Sequence, residues 1–198
     1  MIRLCAGAAL RALVSARATP KQRDAAKTAA PAASQAPAGN EIDRLRGAGD
    51  YRGAAQRLLA QASQAQPPRR EELQLAAAET LLQGSLPDEA ATLLLQLPVG
   101  GSSEYQTRRA LAEARLQLLR AQPQASLRGL AGISEDVAPN LLVEFHRLRA
   151  DTYSVAGNHL ESARERVWLD GRLAPAERPA NQQAIWETLA RLPDALLA

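Results

Sequence analysis

The sequence predicts an all-α fold built as a solenoid of helical hairpins, and three observations carry that prediction. The 198 residues are 46% hydrophobic but only 3% aromatic, so any core is made of Leu and Ala, a composition that favours helices over sandwiches or barrels. From Glu41 onward apolar residues recur at three- and four-residue spacing, and no β-branched run is long enough for a strand. Small turn residues recur at a nearly constant interval: Gly49, Gly84, Ala121 and Gly157 stand 35, 37 and 36 residues apart. This is the layout of a tetratricopeptide-like unit, whose period is about 34 residues. A small residue lets the chain reverse sharply. A second small residue early in the following helix (Ala54, Ala90, Ala163 and, more loosely, Ala125) lets two helix axes approach. Leucines elsewhere fill the space between adjacent hairpins.

The elements follow in order. Helices are predicted over 41–47, 50–65, 69–83, 87–96, 102–120, 123–131, 137–156, 158–172 and 179–191. The segments 73–82, 110–119 and 148–157 each set Ala between larger apolar residues, marking first helices of hairpins. Pro87 suits a first helical turn, and Asp88 and Glu89 behind it favour the positive helix end. Ser102 precedes Glu104 as a start signal, and Asn158 is expected to cap its helix through the side-chain oxygen. Pro98 and Gly100–Gly101 separate two hairpins.

The ends of the chain read differently. Residues 1–17 have the outline of a degenerate secretory or lipoprotein signal: a basic start, a short apolar run, then small residues. Arg17 stands where a lipidation cysteine would be expected, and Arg11 interrupts the apolar run. Residues 18–40, rich in Ala, Pro, Ser, Gln and Lys, hold no large apolar side chain and read as a disordered tether. The helical domain is expected over 41–198. Residues 1–40 carry six Lys or Arg against one acid, whereas 41–198 carry 18 against 20. The domain is therefore slightly acidic, which argues against a nucleic-acid partner. One cysteine, Cys5, excludes an internal disulfide framework and a multi-cysteine zinc site.

Catalytic and cofactor motifs are sparse. LRGAGDYRGA (45–54) lacks the Lys-Ser/Thr of a phosphate loop. The pairs Glu71–Glu72 and Asp88–Glu89 lie in first helical turns, where their charge suits the helix dipole. His146, beside Phe145, reads as a packed helix residue, and His159 as a surface residue. No catalytic, metal or cofactor residue is assigned, and an enzyme is not expected. In 159–173 an apolar stripe of Leu160, Ala163, Val167 and Trp168 is expected, with Arg164 and Arg166 on a basic face that is either solvated or meets an acidic partner. In 180–193, Asn181, Gln182 and Gln183 cluster beside Ile185 and Trp186. Asn181 reads as a helix cap. Trp186 reads first as docking the last helix on the array, and second as an exposed interface anchor.

Three stretches carry a resemblance: RREELQLAAAETLL (69–82), HRLRADTYSVAGNHLESARERVWLD (146–170) and, above all, NQQAIWETLARLP (181–193). With these the chain resembles the amino-terminal domain of the LppC/LpoA family, outer-membrane lipoproteins that activate a bifunctional penicillin-binding protein. The resemblance implies an all-helical domain on the periplasmic side of the outer membrane. It also implies a non-catalytic part in peptidoglycan synthesis, with a class A penicillin-binding protein as partner. In the family a further, solute-binding-protein-like domain is generally assigned the synthase contact. It makes Asn181, Gln182, Gln183, Ile185 and Trp186 characteristic positions. A generic tetratricopeptide-type adaptor of the envelope and the helical domain of a lytic transglycosylase are the alternatives.

Overall fold

Each hairpin turns on one residue forced into the left-handed backbone region. These residues are Gly49 (φ 78°), Ser85 (φ 55°), Ala121 (φ 55°) and Gly157 (φ 79°), spaced 36 positions apart throughout. Each turn carries the same two hydrogen bonds. The left-handed residue donates its N–H to the carbonyl three residues back: Gly49 to Arg46, Ser85 to Leu82, Ala121 to Leu118 and Gly157 to Ser154, at 2.9–3.2 Å. The next residue donates to the carbonyl five back: Asp50 to Leu45, Leu86 to Leu81, Gln122 to Gln117 and Asn158 to Tyr153, at 2.8–2.9 Å. This Schellman arrangement satisfies carbonyls that a helix end leaves orphaned. The residue that completes it is also the N-cap of the next helix, with ψ of 68°, 67°, 63° and 66° in the four turns.

The computed structural model describes residues 38–134 and 136–192, with side chains from Glu41 onward. The expected leader (1–17) and most of the expected tether (18–40) lie outside those residues. Among the described residues there are nine helices and no strand: α1 (Ala38–Gly47), α2 (Tyr51–Gln64), α3 (Arg69–Gln83), α4 (Pro87–Gln96), α5 (Ser103–Leu119), α6 (Pro123–Ala131), α7 (Pro139–Val155), α8 (His159–Asp170) and α9 (Arg178–Leu189). They pair as α1/α2, α3/α4, α5/α6 and α7/α8. The first helices α3, α5 and α7 lie side by side, and α9 closes the series against α8. No described helix is long and apolar enough to cross a membrane.

The register explains the packing. Ala54, Ala90, Ser126 and Ser162, again 36 apart, are all fully buried, so a small side chain stands at the same closest approach in every hairpin. In the third and fourth hairpins that position is Ser126 and Ser162, one residue after the expected Ala125 and one before Ala163. Both hydroxyls are satisfied. Ser162 donates to Ala150 O at 2.8 Å. Thr152 spends its proton on Leu148 O at 2.7 Å, so Ser126 is the donor in the 3.2 Å contact between them. Other buried positions recur in step: large Leu58, Leu94 and Leu130 on α2, α4 and α6, and small Ala78, Ala114 and Ala150 on α3, α5 and α7. The helix α5 belongs to both halves of the core. Its Tyr105, Ala112 and Leu116 join the cluster of the first two hairpins, and its Leu111 and Ala114 the cluster with Phe145 and Leu148 of α7. Charges stitch the first helices together. Arg108 holds Glu79 by two bonds of 3.0 and 2.5 Å, and Arg115 reaches Glu144 at 3.5 Å. Burial pushes the Glu79 carboxyl above its ordinary range, against the pull of Arg108.

Two local expectations are corrected. Gly84 is not the left-handed turn residue: its φ is −79°. Its smallness serves packing, because a Cβ there would stand 2.5 Å from that of Tyr51. Asn158 occupies the N-cap of α8, yet its side chain makes no capping bond. Among these four turns only Asp50 caps through its side chain, to Gly53 N at 2.8 Å. Ser102 does cap α5, accepting from Tyr105 N at 3.1 Å.

Because a Cβ at Gly157 would meet nothing within 4 Å, Gly157→Ala reads the backbone cost alone. It is expected to destabilise the domain by about 1 kcal/mol. Ala121→Gly, at the equivalent turn, is expected to stabilise it by a similar, about 1 kcal/mol, amount. Urea denaturation of both variants checks the pair of signs.

Candidate functional site

The last hairpin and α9 depart from the Leu/Ala rule. Four of the six aromatic residues, Phe145, Tyr153, Trp168 and Trp186, fall there. Across the seam between α7 and α8 the His146 ring stacks on Trp168, centroids 3.5 Å apart and planes 23° apart. Phe145 meets the same imidazole edge-on at 5.2 Å. Outside, the Arg172 guanidinium lies 3.9 Å from the centre of Trp168. Within the seam Glu165 is buried and serves two cations or donors. Arg149 reaches its Oε1 at 2.9 Å, and His146 Nδ1 lies 2.5 Å from its Oε2. With Arg149 holding the carboxylate as an acceptor, Nδ1 is the donor. Arg149 also lies 5.0 Å from the Phe145 ring and 5.9 Å from that of Tyr153. A histidine–carboxylate pair can orient a general base, but this imidazole is covered by Trp168. The arrangement fixes how α8 sits on α7. His146 is therefore a packed residue, as its place beside Phe145 suggests. His159 is half-buried rather than fully on the surface.

The expected stripe on α8 is out of phase. Its buried positions are Ser162, Ala163, Glu165 and Leu169, whereas Leu160 and Val167 are exposed. Repeating the buried Ala54 and Ala90 by 36 leads to Ser162, but repeating Leu58, Leu94 and Leu130 leads to Arg166, so the burial of Glu165 departs from the register. The two arginines separate. Arg164 is exposed and pairs with Glu161 at 2.7 Å; Arg166 is largely covered and pairs with Asp151 of α7 at 2.8 Å. They form no common free basic face.

On α9, Asn181 is not the cap: that position is Glu177. Asn181 is buried and donates through Nδ2 to Arg166 O at 2.9 Å and to Asp170 Oδ1 at 3.3 Å. Gln182 donates to the other oxygen, Asp170 Oδ2, at 3.2 Å. The two amides bracket one carboxylate at the end of α8, and this fastens α9 to the array. Gln183 turns back along its own helix to Glu187 at 2.9 Å. Ile185 is half-buried. Trp186 is 70% exposed, so it does not dock the last helix on the array. The helix is held by polar groups because its only fully buried side chains are Asn181 and Thr188. Between α7, α8 and α9 lies a cleft of about 470 Å³, with Arg147, Asp151, Arg166 and Glu177 among its walls. Its charges are paired within it, Arg147 to Glu177 at 2.8 Å. Among the described residues no group of three or more His, Cys, Asp or Glu is placed to hold a metal ion.

Residues 50–197 match the family described as "LppC putative lipoprotein". The chain is similar in fold to the E. coli LpoA amino terminal domain, with a TM-score of 0.63 and 20% identity, covering 70% of this chain and 62% of that one. It is also similar to LpoA from Haemophilus influenzae in two crystal structures. In a monoclinic form the TM-score is 0.60 and the identity 19%, and in the full-length structure 0.58 and 20%; each covers 72% of this chain and 27% of that one. The chain thus spans less than two thirds of each of these relatives. No curated protein sequence matches it.

Glu165→Ala would leave Arg149 and His146 without their shared acceptor and is expected to destabilise the domain by about 3 kcal/mol. Arg164→Ala, which removes an exposed pair, is expected to change stability by less than about 0.5 kcal/mol. Equilibrium denaturation compares them directly. On α9, Asn181→Ala is expected to cost about 1–2 kcal/mol. It should also speed amide exchange through that helix, while Gln183→Ala leaves exchange unchanged.

Proposed function

The chain belongs to the LppC lipoprotein family, and from that membership we propose that it is a non-catalytic activator of peptidoglycan synthesis, supplying the helical scaffold on which a class A penicillin-binding protein is regulated. The observation that carries this reading is the extent of the family match. It runs from Asp50, in the first hairpin turn, across every later repeat and through α9. A stacked array of this kind is a rigid support for protein contacts. Trp186, exposed on a helix fastened by Asn181 and Gln182, is the contact residue the reading assigns, because a large aromatic held on a fixed backbone binds with little entropy to lose. The proposed place of action is the periplasm, on the inner side of the outer membrane. Acyl attachment at position 17 would need a thiol where Arg17 stands, so the proposal assigns no acyl chain to that position. In the family the main synthase contact is assigned to a further domain, and this scaffold is proposed to contribute to it.

The test is retention of the purified chain on an immobilised class A synthase, together with the rate of glycan polymerisation and cross-linking. Retention and a raised rate are expected. Trp186→Ala should weaken retention at an unchanged thermal midpoint, since the side chain supports little of the fold. No retention and no rate change, under conditions where a full-length relative acts on its own synthase, would contradict the proposal.

A further inference from the structure

The 36-residue register runs on into α9. Thr152 and Thr188 stand 36 apart. Both are buried, and each donates to the carbonyl four residues back at 2.7 Å. Thr80, two repeats before Thr152, does the same with Ala76 O at 2.7 Å. By this register α9 is the first helix of a further hairpin. Ile42, Ala78, Ala114 and Ala150 hold one register position on α1, α3, α5 and α7, and all four are buried. On α7 that position meets the second helix of the hairpin: Ser162 of α8 donates to Ala150 O, and one turn earlier His146 stacks on Trp168. The same two positions on α9 are Gln182 and Trp186, and both are exposed.

The helix α9 therefore keeps only one of the two buried faces of a first helix. Asn181 and Thr188 are its buried side chains, and Asn181 bonds to α8. Pro179, Gln182, Gln183, Trp186 and Ala190 lie along the other side at helical spacing, all exposed and none charged. The register also puts Pro193 where the next left-handed residue would stand. Proline has no N–H to give and a φ fixed at about −65°. The turn that folds each earlier second helix back on its first cannot repeat at that position.

We propose that this strip on α9 is the seat of an amphipathic α-helix supplied by the synthase, which lies on Gln182 and Trp186 as α8 lies on His146 and Ala150. The inference rests on the proposed role in peptidoglycan synthesis for the owner of that helix. The hairpins themselves say what covers such a face, since an α-helix is paired with each of α1, α3, α5 and α7. Ile42 shows that a large side chain at this position is compatible with a helix packed on it. The chemistry of the occupant follows from the strip. With no charge on that side of α9 to match, its contacting stripe is uncharged, because a charge buried there would find no partner. An indole stands farther out than a methyl, so the stripe is smallest where it meets Trp186. It also offers one acceptor to the indole N–H.

The test is the affinity of the 198-residue chain for an immobilised class A synthase, with charges placed along the strip. Gln183→Lys and Ala190→Lys should each weaken binding about tenfold, because each sets an unpaired charge under the occupant. Arg164→Ala, on an exposed position of α8, should leave it unchanged. All three variants are expected to keep the circular dichroism and thermal midpoint of the unaltered chain, since the positions are exposed. Weakening by Trp186→Ala alone, with both lysine variants bound as before, would overturn the seated helix and leave a single aromatic contact, so the proposed function would stand without it. No binding by the unaltered chain would contradict both. Sedimentation of the chain alone should give a monomer. A dimer that Ala190→Lys dissolves would put a second copy on the strip and overturn the assignment to the synthase.

Discussion

The repeated left-handed turn is the constraint on which the rest of the array depends. One residue in every 36 adopts a backbone conformation that L side chains avoid, and the two N–H groups there reach back three and five residues to close the helix end. Because the second of those donors is also the N-cap of the next helix, the exit of one helix and the entry of the next are a single object. Its geometry is nearly invariant although its residues are not. Asp50, Leu86, Gln122 and Asn158 share almost the same ψ, and only one of them caps with its side chain. The backbone sets the angle of each hairpin, and small side chains four to five residues later allow the axes to meet. The fold tolerates Ser85 and Ala121 in the left-handed region, at a cost of roughly 1–2 kcal/mol each, because the two hydrogen bonds of the turn and the packing they allow offset it.

From that frame the chain changes chemistry along its length. The first two hairpins are packed with Leu and Ala in one continuous cluster. Towards the end, hydroxyls, amides and charges take over: Ser126 on Thr152, Glu165 between His146 and Arg149, and Asp170 between Asn181 and Gln182. Apolar burial is indifferent to small slips, whereas each of these bonds has one geometry. The polar seams therefore fix the position of α8 and α9 more narrowly than leucines would, and Trp186 is presented from a backbone that is held in place.

Most of the secondary structure was legible in the sequence, since helices of nine to seventeen residues with apolar periodicity and Pro or Gly boundaries leave little freedom. What was not legible was phase. Gly84 has the residue type that usually supplies a positive φ, yet Ser85 carries it and Gly84 makes room for Tyr51. On α8 the apolar letters Leu160, Ala163, Val167 and Trp168 suggest a stripe of which only Ala163 is buried, while the buried face also takes in Ser162, Glu165 and Leu169. Hydrophobicity alone misplaces a stripe whose interior is partly polar. The 36-residue register points to Ser162 but to Arg166 rather than Glu165, so it places only part of that face. At the candidate site, the characteristic residues Asn181 and Gln182 were visible, but their partner Asp170 lies on another helix, and no local pattern joins them. The exposure of Trp186 was equally beyond local reading, because α9 presents almost no apolar stripe to orient it.

The central claim is that one hydrogen-bonded turn, repeated without slippage, organises the domain. Native-state hydrogen exchange of the amides of Asp50, Leu86, Gln122 and Asn158 tests it most directly. If each N–H is held by the carbonyl five residues earlier, all four exchange slowly, at rates comparable with the helices they join. Fast exchange at Leu86 or Gln122, where glycine is absent from the left-handed position, would contradict the account.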